Sequence, residues 1–287
     1  MRGMKNRRLL FFCAILLLGG ILLTSCGSVG KGAADQVQGG ETEGSSATRI
    51  FTDLTGAEVE LPGEIQKVIH LWPASTAMEV FLGSGDKIIG TLGAVQKGWG
   101  WLTSACPGLL EVKGFTGEAT AEELLTLEPD VVITSNAKAA EAYREAGVPA
   151  VCMLGGEDLG SLKKMITKMG ELLGAEEAAK AAEYITYLDG VIDQVAKAVA
   201  GIPEEERPVI YYNSAQHGDS PLLTCGDGSI VESWINATGC KNAVAGVVQG
   251  MDKEVSFEVV AAADPDYIVV GGTNQEAAWN TIMSEAA

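Results

Sequence analysis

Glu122-Glu123-Leu124-Leu125-Thr126-Leu127-Glu128-Pro129-Asp130-Val131-Val132-Ile133 is echoed by Glu258-Val259-Val260-Ala261-Ala262-Ala263-Asp264-Pro265-Asp266-Tyr267-Ile268-Val269. In each copy a helical stretch meets Pro and Asp, and a short β-branched run follows. Proline cannot continue a helix and pushes its predecessor out of the helical region. Each copy therefore reads as a helix, a sharp stop and a buried strand. Two such units, far apart in one chain, predict two parts of similar design.

The surrounding sequence fits α/β alternation. Strands are expected at Lys67–Leu71, Lys87–Gly90, Asp130–Thr134 and Val148–Leu154, and helices at Thr76–Leu82, Ala121–Leu127 and Lys138–Ala146. Continuous short apolar runs between helices are the mark of parallel strands buried on both faces. Thr76 and Glu79 have the spacing of a capping box. Asp158–Leu173 is helical, and Ala175–Val199 places Ile185, Leu188, Ile192, Val195 and Val199 on one helical face. At 1.5 Å per residue that helix reaches about 38 Å, long enough to connect two lobes. The alternation restarts with a strand at Pro208–Tyr212, helices at Ser229–Thr238 and Ser256–Ala263, and a strand at Asp266–Val270.

The N-terminus is of another kind. Arg2, Lys5, Arg7 and Arg8 precede an apolar run, Leu9–Leu23, too short for a membrane span of about twenty residues. Residues 1–25 read as a signal peptide. Leu23-Thr24-Ser25-Cys26 resembles a bacterial lipobox, in which Cys26 is acylated and becomes the first residue. Residues 26–48, rich in Gly, Ser, Ala, Gln and Glu, form a flexible tether to that anchor. The formal charge of −18 becomes more negative once the four basic residues of the leader are removed. No basic face suggests a nucleic-acid partner. Cys106, Cys152, Cys225 and Cys240 remain in the body without CxxC spacing, as disulfides or as free thiols.

Several blocks in order resemble the periplasmic binding proteins that serve iron–siderophore, haem and vitamin B12 importers. They are Thr52-Asp53 with Gly56, Val59 and Leu61-Pro62; Pro73 with Ser75-Thr76 and Glu79; Leu82-Gly83 with Gly85-Asp86-Lys87-Ile88-Ile89-Gly90; the block around Pro129-Asp130; Gly239-Cys240 with Asn242; and Val255-Ser256 with Glu258 and Pro265-Asp266. The resemblance runs from about Arg49 to the last residue. It implies two Rossmann-like α/β lobes, 49–158 and 204–287, joined by a single long α-helix within the connecting segment 159–203, with a ligand cleft between them. The second lobe is shorter than the first and is expected to be truncated. The resemblance further implies a lipid-anchored monomer on the extracytoplasmic face, an ABC permease as partner and no catalysis. Its ligand would carry iron or cobalt, and the protein would need no cofactor or metal of its own. One surface glutamate on each lobe would meet the permease; the matching positions are taken as Glu79 and Glu258.

Ligands of α/β folds sit at the carboxyl ends of strands. On that rule the cleft is lined by His70, Trp72, Trp99, Trp101, Thr116, Glu118, Ser135 and Asn136 from one side. Tyr212, Asn213, His217, Thr273 and Asn274 line the other. Aromatic rings offer rigid apolar area to a bulky chelate, and Tyr or His can ligate iron. A chelatase-like enzyme of related fold is the first alternative. Against it, the chain has no G-x-S-x-G elbow, no P-loop and no dinucleotide glycine motif. A receptor for a bare transition-metal ion is the second, and two His in the whole chain argue against it. If Cys26 carries the anchor, Cys26→Ala leaves the protein unprocessed or releases it from membranes. Membrane fractionation that finds the variant processed and still bound contradicts the lipobox.

Overall fold

The computed structural model describes residues 47–117, 119–214, 222–272 and 275–285. The expectations for residues 1–46, including Cys26, and for Glu118, His217, Thr273 and Asn274 lie outside the described residues. The body begins with an antiparallel hairpin of β1 (Thr48–Thr52) and β2 (Glu58–Pro62). Then come β3 (Val68–His70), α1 (Pro73–Leu82), β4 (Ile88–Leu92), α2 (Gly93–Gly98), α3 (Gly100–Ala105), β5 (Lys113–Phe115), α4 (Ala121–Leu125), β6 (Val131–Thr134), α5 (Ala137–Glu145) and β7 (Ala150–Cys152). These strands form one sheet in the order β5-β4-β3-β6-β7, every pair parallel.

Burial explains the composition of that sheet. Val68, Val131, Ile133 and Val151 pack on one face against Leu61, Ile65, Met169 and Leu172. Ile69, Val132 and Ala150 turn to the other face against Phe115, Leu124 and Tyr143. Both faces are covered over β3, β6 and β7, which are buried at every residue, so these strands do not alternate buried with exposed. Gly90 on β4 is small for a reason: a Cβ there would come within 2.8 Å of the Phe115 ring.

Two long helices follow, α6 (Leu159–Leu173) and α7 (Ala175–Val199). Asp158 caps α6 by accepting from Ser161 N–H at 2.7 Å. The start of α7 is held to the first sheet by Lys87, whose Nζ donates to Glu177 Oε1 at 2.8 Å and to the Leu173 carbonyl. The chain then builds a second sheet from β8 (Val209–Asn213), β9 (Leu223–Thr224), β10 (Lys241–Asn242), β11 (Lys253–Glu254) and β12 (Tyr267–Val270). Helices α8 (Ile230–Ala237), α9 (Phe257–Ala263) and α10 (Gln275–Glu285) accompany it. β8 pairs in parallel with β10 and with β12.

The repeated unit has one job in both sheets. Asp130 Oδ2 accepts from the backbone N–H of Gln66 and Lys67 at the start of β3, and Asp266 Oδ2 accepts from Val209 N–H at the start of β8. Glu128 (φ 48°) and Asp264 (φ 44°), each just before the proline, both take the left-handed region. The Pro-Asp pair thus ends a helix and registers the next strand against its neighbour. One expectation is corrected: β12 is not buried. Tyr267 is 62% exposed, and Ile268 and Val269 are more than a third exposed. Among the described residues β12 pairs only with β8, which leaves it on the sheet's edge. All four described cysteines are free thiols.

Candidate functional site

The carboxyl ends of β3, β4, β5 and β6 surround a hollow of about 540 Å³. Its apolar wall is Leu71, Leu92, Phe115 and Tyr143, and its polar rim is Lys97, Thr116, Thr134, Ser135 and Asn136. The local sequence builds this edge. Asn136 caps α5 by accepting from Lys138 and Ala139 N–H through its side-chain oxygen. Asn136 N–H in turn donates to Thr134 Oγ1 at 3.1 Å. Tyr143 donates its hydroxyl to the Ala119 carbonyl at 2.7 Å, so its ring stands as wall and its polar end is occupied. Gln96 ties α2 to the segment before β5 through the carbonyls of Leu109 and Val112.

Thr116, Ser135 and Asn136 therefore meet where the strand-end rule puts them. Lys97 and Tyr143 also line the hollow and escaped the sequence reading. Lys97 sits a helical turn after β4, on a stretch with no strand or motif signal of its own.

His70 is corrected. It does not line a cleft, being fully buried at the end of β3. Its Nδ1 lies 2.8 Å from Ser75 Oγ and its Nε2 2.7 Å from Glu79 Oε2. Ser75 spends its proton on the Trp72 carbonyl, so it accepts from His70 and Nδ1 carries hydrogen. Nε2 and Glu79 then share the next proton. Burial pushes the Glu79 carboxyl above its ordinary 4.5, while the hydrogen bond and charge of His70 pull against that rise. The permease expectation for Glu79 is corrected too, because its side chain has no exposed surface. Thr76 does not cap α1 either. α1 starts at Pro73, and Thr76 reaches Thr91 Oγ1 at 2.8 Å.

The tryptophans lie elsewhere. Trp99 and Trp101 stack with centroids 5.7 Å apart and border a separate apolar hollow of about 330 Å³ against Met78, Phe81, Leu162 and Tyr184. Trp72 is half-buried at the start of α1. On the second sheet, Tyr212 packs edge-on against Trp234 at 6.1 Å, and Asn213 is fully buried at the end of β8. Burial raises the Tyr212 hydroxyl above its ordinary pKa. Glu258 is exposed in the first turn of α9, where bonds from Ser256 and its own N–H lower its carboxyl. No group of three or more His, Cys, Asp or Glu among the described residues could hold a metal ion.

Residues 109–285 match the periplasmic binding protein family. The uncharacterized ABC transporter substrate-binding lipoprotein YvrC of Bacillus subtilis is 24% identical over 271 residues, spanning 89% of this chain and 78% of that protein. The molybdate-bound periplasmic protein MolA of Haemophilus influenzae has a similar fold, with a TM-score of 0.67 at 22% identity over 77% of this chain and 73% of that one. A periplasmic haem-binding protein of Pseudomonas aeruginosa gives 0.61 at 20% identity over 77% of each.

The Glu79–His70 pair yields a pH dependence with a definite sign. A carboxyl whose folded pKa is raised contributes most stability below its unfolded value, here about 4.5, and loses it as pH rises through the folded value. Glu79→Gln keeps a donor for the imidazole and removes the titration. Urea unfolding should show it gaining on wild type as pH rises above about 4.5, while Glu79→Ala loses about 3 kcal/mol. A wild-type advantage over Glu79→Gln that grows with pH contradicts the shared proton.

Proposed function

Because this chain belongs to the periplasmic binding protein family, we propose that it is an ABC importer's receptor for a metal chelate: a ferric siderophore, haem or a corrinoid. In this reading Cys26 anchors it to the extracytoplasmic face of the membrane through the tether 26–48. Two α/β lobes, 49–158 and 204–287, are joined by the segment 159–203, whose mainstay is α7. The observation that carries the reading is the hollow at four parallel strand ends, with Leu71, Leu92 and Phe115 behind a polar rim. A site of that size and chemistry holds and orients a bulky solute. Among its described lining residues there is no nucleophile–base pair, and the one Ser–His contact among the described residues is sealed in the core. In this reading Tyr212, near the end of the second sheet's central strand β8, is assigned to the chelate's other face.

Delivery requires contact with a permease. The internal repeat supports a different pair of glutamates from the one read off the sequence blocks. Glu122 and Glu258 occupy the same place in the two copies, each at the start of a helix that leads into Pro-Asp, and both are exposed. An exposed rim charge sets association and register at little cost to the fold. The receptor reading is tested by tryptophan-fluorescence titration of the soluble chain with haemin, ferric citrate, ferrioxamine B and cyanocobalamin; saturable binding of at least one supports it, and binding of none contradicts it. The docking pair is tested by Glu122→Ala with Glu258→Ala. That variant should keep chelate affinity within about twofold while uptake by cells falls about tenfold or more. Normal uptake, or loss of binding in solution, removes the docking role.

A further inference from the structure

We propose that the hollow selects chelates by charge, taking those that present an anionic, acceptor-rich edge, and that Lys97 is the residue that reads it. This rests on the receptor reading above and narrows its ligand class.

Asn136 has spent its side-chain oxygen on the cap of α5, so what it can still offer is its amide N–H₂. Thr134 is 4% exposed and accepts from Asn136 N–H; its own proton finds no acceptor among the described residues. The hydroxyls of Thr116 and Ser135 have no acceptor among the described residues either. Lys97 adds three donors and a full positive charge, and no described residue pairs with it. Among the described lining residues it is the one charged group. The free capacity of the hollow is thus weighted toward donors, opposite an apolar wall of Leu71, Leu92 and Phe115.

The matching ligand has a face that lies on the apolar wall and carboxylate or other oxyanion groups at its edge. A charge-assisted hydrogen bond to such a group is about twice as strong as a neutral one. A cationic chelate would bring like charge to Lys97 and leave the donors unpaired, a repulsive element that discriminates against the wrong partner.

The test uses the soluble chain, with two anionic chelates (haemin and ferric citrate) against the cationic ferrioxamine B and the neutral cyanocobalamin. The expected result is that an anionic chelate binds at least about tenfold tighter than ferrioxamine B, and that the gap narrows as salt is raised. Lys97→Gln should erase most of that gap and Lys97→Arg should keep it, with thermal unfolding unchanged in both. Preference for ferrioxamine B or cyanocobalamin, or an unchanged gap in Lys97→Gln, overturns the charge selection and leaves the receptor reading standing. Failure of all four to bind overturns both.

Discussion

Parallel pairing of β3 with β4 and β6 is the constraint on which the first half of this molecule depends. Parallel strands cannot be joined by tight hairpins, so each must be followed by a crossover that returns the chain to the same end. The crossovers bury both faces of the sheet, which is why Val131, Val132 and Ile133 are all fully buried. They also gather every strand's carboxyl end along one edge. Thr134, Ser135 and Asn136 lie along that edge. The hollow follows from the pairing.

That edge needs support from below. β3 ends in His70, and the chain must turn at once into α1. The bonds from His70 to Ser75 and Glu79 hold the turn closed from within the core. A buried pair of this kind is expensive when broken and adds little when made, so its value lies in fixing one geometry. Here it fixes how α1 leaves the sheet, and with it the position of Leu71 against the hollow.

Much of the architecture was legible because it depends on local chemistry. The Pro-Asp repeats mark real junctions: Asp130 and Asp266 make the same bond in the two sheets, and Glu128 and Asp264 the same backbone bend. α7 runs from Ala175 to Val199 as its periodicity and flanking Gly174 require. Partner choice was not legible. A glutamate within a helix looks like a surface acid until a histidine nine residues earlier folds onto it. Trp99 and Trp101 follow a strand end, yet helices α2 and α3 turn them toward α1, α6 and α7. β12 has the composition of a core strand and, among the described residues, lies at an edge, since composition records what a strand could bury and the neighbours decide what it does. Lys97 carries no motif and became visible only when the strand ends were brought together.

The central claim is that solute is held at the carboxyl ends of the first sheet. Hydrogen–deuterium exchange on the soluble chain, with and without a saturating chelate, tests it most directly. The account predicts slowed exchange at residues 92–98, 115–117 and 134–139, with little change at 78–81 and 162–166 around the apolar hollow of Trp99 and Trp101. Protection confined to 78–81 and 162–166, with the strand ends unchanged, would contradict it.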